Sequence, residues 1–214
     1  MFKQRLSQVT IAITLAAAAP SINLKAWAQK APIVEAVEKK AEEGSEMVKI
    51  ARRYLGTNYN WEGRMTKKYP GLDCLGLIFI AIQKTFGIPW KKWSVYPSEL
   101  IGQLNRHEEE RNIAFITDDS GQALANLKSG DFILLLDEMI NPNDKPVATQ
   151  NQKDYWVWHT AIYAGDGKII HASPFDERYA VVEEPLIDFM RRNGFDGFIS
   201  VTPNEATIKS MGGK

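Results

Sequence analysis

The chain has little of what would classify it at a glance. One cysteine in 214 residues leaves no internal disulfide and no multi-cysteine zinc or iron–sulfur centre, so any chemistry there is that of a lone thiol. An excess of one charge is missing too. Twenty-six Lys and Arg against 26 Asp and Glu create no field suited to a nucleic-acid backbone. Ten prolines and 15 glycines are too few for a fibrous or linker-like chain, and no segment is repeated or of low complexity. The uncharged stretch Val9 to Ala19 falls well short of the roughly 20 apolar residues that span a bilayer. What is present, 44% hydrophobic and 24% charged residues, is the composition of a globular protein.

That short stretch follows Lys3 and Arg5 and precedes Ala26-Trp27-Ala28, a small-x-small cleavage pattern. Residues 1–28 therefore read as a secretory signal peptide, which places the protein in the periplasm or outside the cell with no stable membrane span after cleavage. An unpaired thiol in those oxidising surroundings is a liability unless it has a task. Residues 29–45, opened by Pro32, read as a mobile helical lead-in, 46–203 as one domain, and 204–214 as a tail.

Met47, Val48, Ile50, Ala51, Tyr54 and Leu55 recur at helical spacing and end at Gly56. An irregular loop follows to Gly71. Asp73 can then cap a buried helix running to about Phe86, with Cys74 in its first turn. Residues 88–128 predict short helices and loops and no sheet. Phe132 to Leu136 is a continuous apolar run, the mark of a strand covered on both faces. Residues 137–154 predict a loop insertion, and Tyr155 to Tyr163 a second strand carrying His159. Asp166-Gly167 predicts a hairpin turn into Lys168 to Ala172, with His171. If 165 pairs with 168, Ile162 faces His171. Further short strands at 180–182 and 197–201 flank a helix at 187–192. Helices first and strands second predict an α+β fold, its helices segregated on a central antiparallel sheet.

A lone cysteine is most often a small buried hydrophobe. Here a helix start at Asp73, with Gly71 and Gly76 allowing close approach, favours a reactive thiolate, provided a histidine helps draw its pKa down. The chain has three histidines. His107, in Asn105-Arg106-His107-Glu108-Glu109-Glu110, reads as part of a solvated face. His159 and His171 lie on paired strands, within reach of one another where a bulge or the sheet twist adjusts the face. In that arrangement His159 takes the proton of Cys74 and His171 fixes its tautomer. Trp61, Tyr69, Trp90, Trp93, Tyr155, Trp156 and Trp158 are candidates to line a cleft. A Cys/His/His metal site would give no reason for a helix start beneath the thiol, and no cofactor or metal is expected.

These motifs resemble a known family. Leu55-Gly56-Thr57-Asn58-Tyr59-Asn60-Trp61-Glu62-Gly63, Gly71-Leu72-Asp73-Cys74-Leu75-Gly76-Leu77, Leu127-Lys128-Ser129-Gly130-Asp131, and His159 through Ala172 are similar, in this order, to the motifs of NlpC-type cell-wall endopeptidases. The resemblance implies a papain-like fold over roughly 46–201, Cys74 as nucleophile, His159 as base, His171 as third polar residue and Tyr59 as an oxyanion-side hydroxyl beside Asp73. It also implies hydrolysis of amide bonds in peptidoglycan stem peptides. Leu75 stands where the family usually has serine, and Glu62-Gly63 where it has a glycine pair. Two other readings stay open: the same fold acting on a non-wall acyl substrate as amidase or acyltransferase, and a non-catalytic exported binder of glycopeptide. Protein partners are not legible.

Overall fold

Phe132-Ile133-Leu134-Leu135-Leu136 has no polar residue to turn to water, so both faces of its strand must be covered. The computed structural model, which describes residues 46–105, 111–115, 124–175 and 179–212, meets this demand. The proposed signal peptide, the lead-in and His107 lie outside those residues. Seven antiparallel strands are present among the described residues: β1 (Arg111–Phe115), β2 (Phe132–Asp137), β3 (Ala148–Gln150), β4 (Lys153–Gly165), β5 (Lys168–Ala172), β6 (Val181–Pro185) and β7 (Gly197–Val201). Their order is β1-β7-β2-β4-β5-β6, with β3 added to the outer part of β4. The helices are α1 (46–52), α2 (Cys74–Phe86), α3 (Pro97–Leu104), α4 (Leu186–Asn193) and α5 (Glu205–Gly212).

Alternation along the strands divides the interior in two. Phe132, Leu134, Leu136, Ile162 and Ile170 face α1, α2 and α3, where Met47, Leu77, Ile78, Phe79 and Leu100 complete the larger core. Ile133, Leu135, Ala161, Tyr163 and Ile169 face the opposite way, onto Leu186, Phe189 and Met190 of α4. The α+β architecture is as expected, with the cysteine-bearing helix packed on an antiparallel sheet. The helices are not segregated on one side, however. An amphipathic α4 covers the second face because β2 is apolar on both faces.

Two further departures matter for the site. β1, absent from the sequence reading, is an edge strand paired only with β7, and its Ile113 is exposed. The hairpin register also differs. Asp166 and Gly167 both have positive φ, 52° and 72°, as a two-residue turn of the favoured hand requires. Ala164 then bulges out, so Ile162 pairs with Ile170 and not with His171. This one-residue slip reverses the face His171 presents and puts it on the side of His159. A second irregularity, opposite Leu135 and Leu136, leaves Trp158 as an extra residue between Val157 and His159.

Candidate active site

Asp73 is extended (φ −96°) and its carboxylate accepts the Gly76 amide at 2.6 Å, capping α2 as expected. The same carboxylate oxygen accepts from Nη1 of Arg64 at 2.6 Å, and that nitrogen also reaches the Gly63 carbonyl at 2.7 Å. Arg64 and Asp73 are both buried, and the guanidinium lies 5.2 Å from the centre of the Phe79 ring. Arg64 was missed in the sequence, where it reads as one more loop cation. Its buried pairing locks the tyrosine loop to the start of the nucleophile's helix. Gly76 makes that contact possible, since a Cβ there would run into the backbone oxygen of Gly63. Gly76→Ala is therefore expected to cost about 1–3 kcal/mol in denaturant melts, the usual range for overpacking. A melt unchanged from wild type would show the loop able to give way.

Cys74 begins α2 at the floor of a cleft of about 560 Å³. Of the aromatics expected there, Trp61, Tyr69, Trp90 and Trp158 line the cleft, joined by Leu75. Trp93 and Tyr155 are buried in the larger core. Trp156 instead donates its indole N–H to the Asp144 carbonyl at 3.2 Å. The opposite wall is the 137–147 insertion. Asp144 accepts from the Ser98 amide at 3.1 Å and from the Ser98 hydroxyl at the start of α3. Trp158, pushed out by its bulge, donates to the Met139 carbonyl at 2.7 Å. Bulges commonly re-aim a side chain beside a site in this way.

The thiol does not have the partner expected. Its polar neighbours are Thr160 and the Leu75 backbone, and neither histidine is among them. Burial first, and then the Asp73 charge, push the thiol up to about 11 from 9.0. The helix start therefore does not yield a thiolate in this resting arrangement. Tyr59 is half-buried, and burial followed by the charges of Cys74 and Asp73 raises its phenol, which stays a hydrogen-bond donor.

His159 and His171 are brought together as expected. His159 Nε2 and His171 Nδ1 are 2.8 Å apart, and the residues are 2% and 0% exposed. Their rings turn to the α4 side, where Phe189 packs against both and Phe175 and Phe195 against His159. Thr160, the next residue on β4, turns to the thiol. Beyond the pair, His171 Nε2 lies 2.9 Å from Glu184 Oε1, and Arg192 Nη2 donates to Glu184 Oε2 at 2.7 Å. Burial opposes the charge of Glu184, but the hydrogen bonds from His171 and Arg192 outweigh it and bring its carboxyl down to about 2. Burial and the neighbouring His171 hold His159 well below the ordinary imidazole value, so it is neutral.

The carboxylate fixes one ring hydrogen. An ionised carboxylate only accepts, so His171 Nε2 carries hydrogen. Glu184 and Arg192 were not singled out in the sequence. The available signal was a glutamate in the inward phase of a strand, opposite Ile169, just before an amphipathic helix.

No family model matches the chain, and no curated protein matches its sequence. Solved structures similar to it include the NlpC/p60 domain of the peptidoglycan hydrolase SagA, 21% identical over 74% of this chain and 98% of that one (TM-score 0.42). The peptidoglycan hydrolase RipB from Mycobacterium tuberculosis is 16% identical over 78% and 68% of the two chains (TM-score 0.47). NlpC1 from Trichomonas vaginalis is 18% identical over 74% of this chain (TM-score 0.46), and the match spans 43% of that protein.

Proposed function

We propose that this chain is an exported cysteine hydrolase of the NlpC type, cutting amide bonds in peptidoglycan stem peptides, with Cys74 as nucleophile and His159 as base. The observation that carries the reading is a lone thiol at the capped start of a buried helix, on the floor of an aromatic cleft. Beside it lies Thr160, the strand neighbour of His159, which is itself paired with His171. The ordered sequence motifs supply the substrate class, and residues 1–28 supply export.

His159 lies on the α4 side of the sheet and the thiol on the α2 side, so the proposed reaction requires β4 to turn His159 to the face of the thiol. The S–H bond breaks as the proton goes to the His159 ring, and sulfur attacks the amide carbonyl. The first amides of α2, with the Tyr59 hydroxyl, receive the oxyanion. Collapse expels the amine with the proton from the histidine, and water hydrolyses the thioester. Arg64 is occupied by Asp73, so it stabilises the loop and takes no part in these steps.

A second reading, a non-catalytic peptide binder, is favoured by one observation: the thiol is held high by burial and the Asp73 charge, with Thr160 and no histidine beside it. Digestion of purified peptidoglycan by protein beginning at Gln29 and by its Cys74→Ala variant, read by mass spectrometry, separates them. Stem-peptide fragments from the wild type alone support the hydrolase and identify the bond. Intact wall bound equally by both proteins supports the binder. An acyl-enzyme released only by an added amine supports acyl transfer.

A further inference from the structure

Tyr69 and Trp90 both line the cleft and meet edge to face at one corner of it, with ring centres 5.9 Å apart. Each ring carries the ammonium of its chain neighbour. Lys68 Nζ lies 4.9 Å from the centre of the Tyr69 ring, and Lys91 Nζ 5.9 Å from that of Trp90. An ammonium over an aromatic face is held in place while its remaining N–H groups stay open to an anion. The tyrosine loop and the short 3-10 turn Trp90–Lys92 add Lys67 and Lys92 nearby in the chain, and all four lysines are exposed.

The rest of the cleft offers a ligand no such cation. Among the described residues that line it, Arg64 alone is positively charged, and Arg64 is committed to Asp73 and the Gly63 carbonyl. The opposite wall carries Asp144, whose carboxylate already accepts from Ser98 and from the Lys145 amide. The cleft is therefore polarised, with positive charge beside the Tyr69 and Trp90 corner and negative charge on the insertion.

We infer that Lys68 and Lys91 are specificity residues that seat a carboxylate of the peptide ligand at the corner of Tyr69 and Trp90, and so fix which way the peptide lies across Cys74. The inference rests on the ligand being a peptide, as proposed above. Charge-assisted hydrogen bonds from the ammoniums hold the carboxylate, while the two rings cover the apolar atoms next to it. A peptide laid the other way would bring its carboxylate to Asp144, where like charges repel. The acid at the lysine corner is Glu62, which lines the cleft and whose charge acts on Lys68. A ligand carboxylate competes with Glu62 for that lysine.

Isothermal titration of a synthetic stem peptide into the chain carrying Cys74→Ala tests this without turnover. The free-acid peptide is expected to bind about fivefold more tightly than the same peptide with its carboxylates amidated at about 50 mM salt, and the preference should shrink at about 500 mM. Adding Lys68→Gln and Lys91→Gln should abolish the preference while the amidated peptide binds as before, which a loss of folding would not do. Glu62→Gln should widen the preference, because the lysine loses its competitor. Equal affinity for the two peptides, a preference that survives loss of both lysines, or binding of neither peptide would overturn the inference. Wall cleavage by the wild type without such a preference leaves the hydrolase standing and removes this corner from it. The preference without cleavage keeps the corner, in a binder.

Discussion

Alkylation of Cys74 by iodoacetamide in the unliganded protein is expected to run about a hundredfold slower at pH 7 than that of an exposed cysteine. The thiolate is the reacting form, and a thiol raised to about 11 from 9.0 has roughly one-hundredth of the usual thiolate fraction at neutral pH. The sign comes from the cause. Burial disfavours the charged form, so the rate should climb about tenfold for each pH unit and level off only near 11. His159→Ala should leave this resting rate unchanged, since His159 is not a partner of the thiol. A rate at pH 7 equal to that of free cysteine would show that a base already engages the sulfur. Slow alkylation together with wall cleavage describes an enzyme switched on by its substrate, whereas slow alkylation without cleavage favours the binder.

The largest loss of stability is expected from Arg64→Ala, about 3–5 kcal/mol by urea denaturation. Removing one member of a buried ion pair leaves the other charged and unsatisfied. Here that other member is Asp73, with 8% of its side chain exposed and already committed to the Gly76 amide. Arg64 also holds the Gly63 carbonyl and packs over Phe79, so the tyrosine loop loses its hold on α2 at the same time. Pairing the change with Asp73→Asn should restore part of the loss, because the stranded charge is removed. A drop of less than about 1 kcal/mol for Arg64→Ala would place the pair in the weak class typical of surface bridges.

Much of the architecture is legible in the sequence. Asp73 as a cap, the apolar continuity of β2 and the Asp166-Gly167 turn are local signals, each set by a few adjacent residues. The larger error concerned faces. Ala164 and Trp158 are ordinary strand residues by pattern, yet each bulge adds one residue and so inverts the facing of every strand residue beyond it. The sequence therefore predicted that His159 and His171 meet, and they do, but it put His159 against Cys74, where Thr160 lies. β1 was illegible because Ile113 and Ala114 sit in a polar stretch whose strand exists only by pairing with β7. Arg64 and Glu184 were overlooked for a related reason: their importance comes from burial beside partners that the chain brings in from elsewhere.

The position of β4 has a consequence for how the molecule breathes. Its middle, bonded to β2 on one side and leading into β5 on the other, carries both Thr160 and His159. Amide protons there exchange with solvent only when the sheet comes apart, whereas those of the irregular 57–72 loop are released by small openings. The proposed chemistry thus joins a slow-exchanging beam, which fixes the base, to a fast-exchanging rim, which admits the substrate. Hydrogen exchange would show the two halves of one site at opposite ends of the protein's range of local stability.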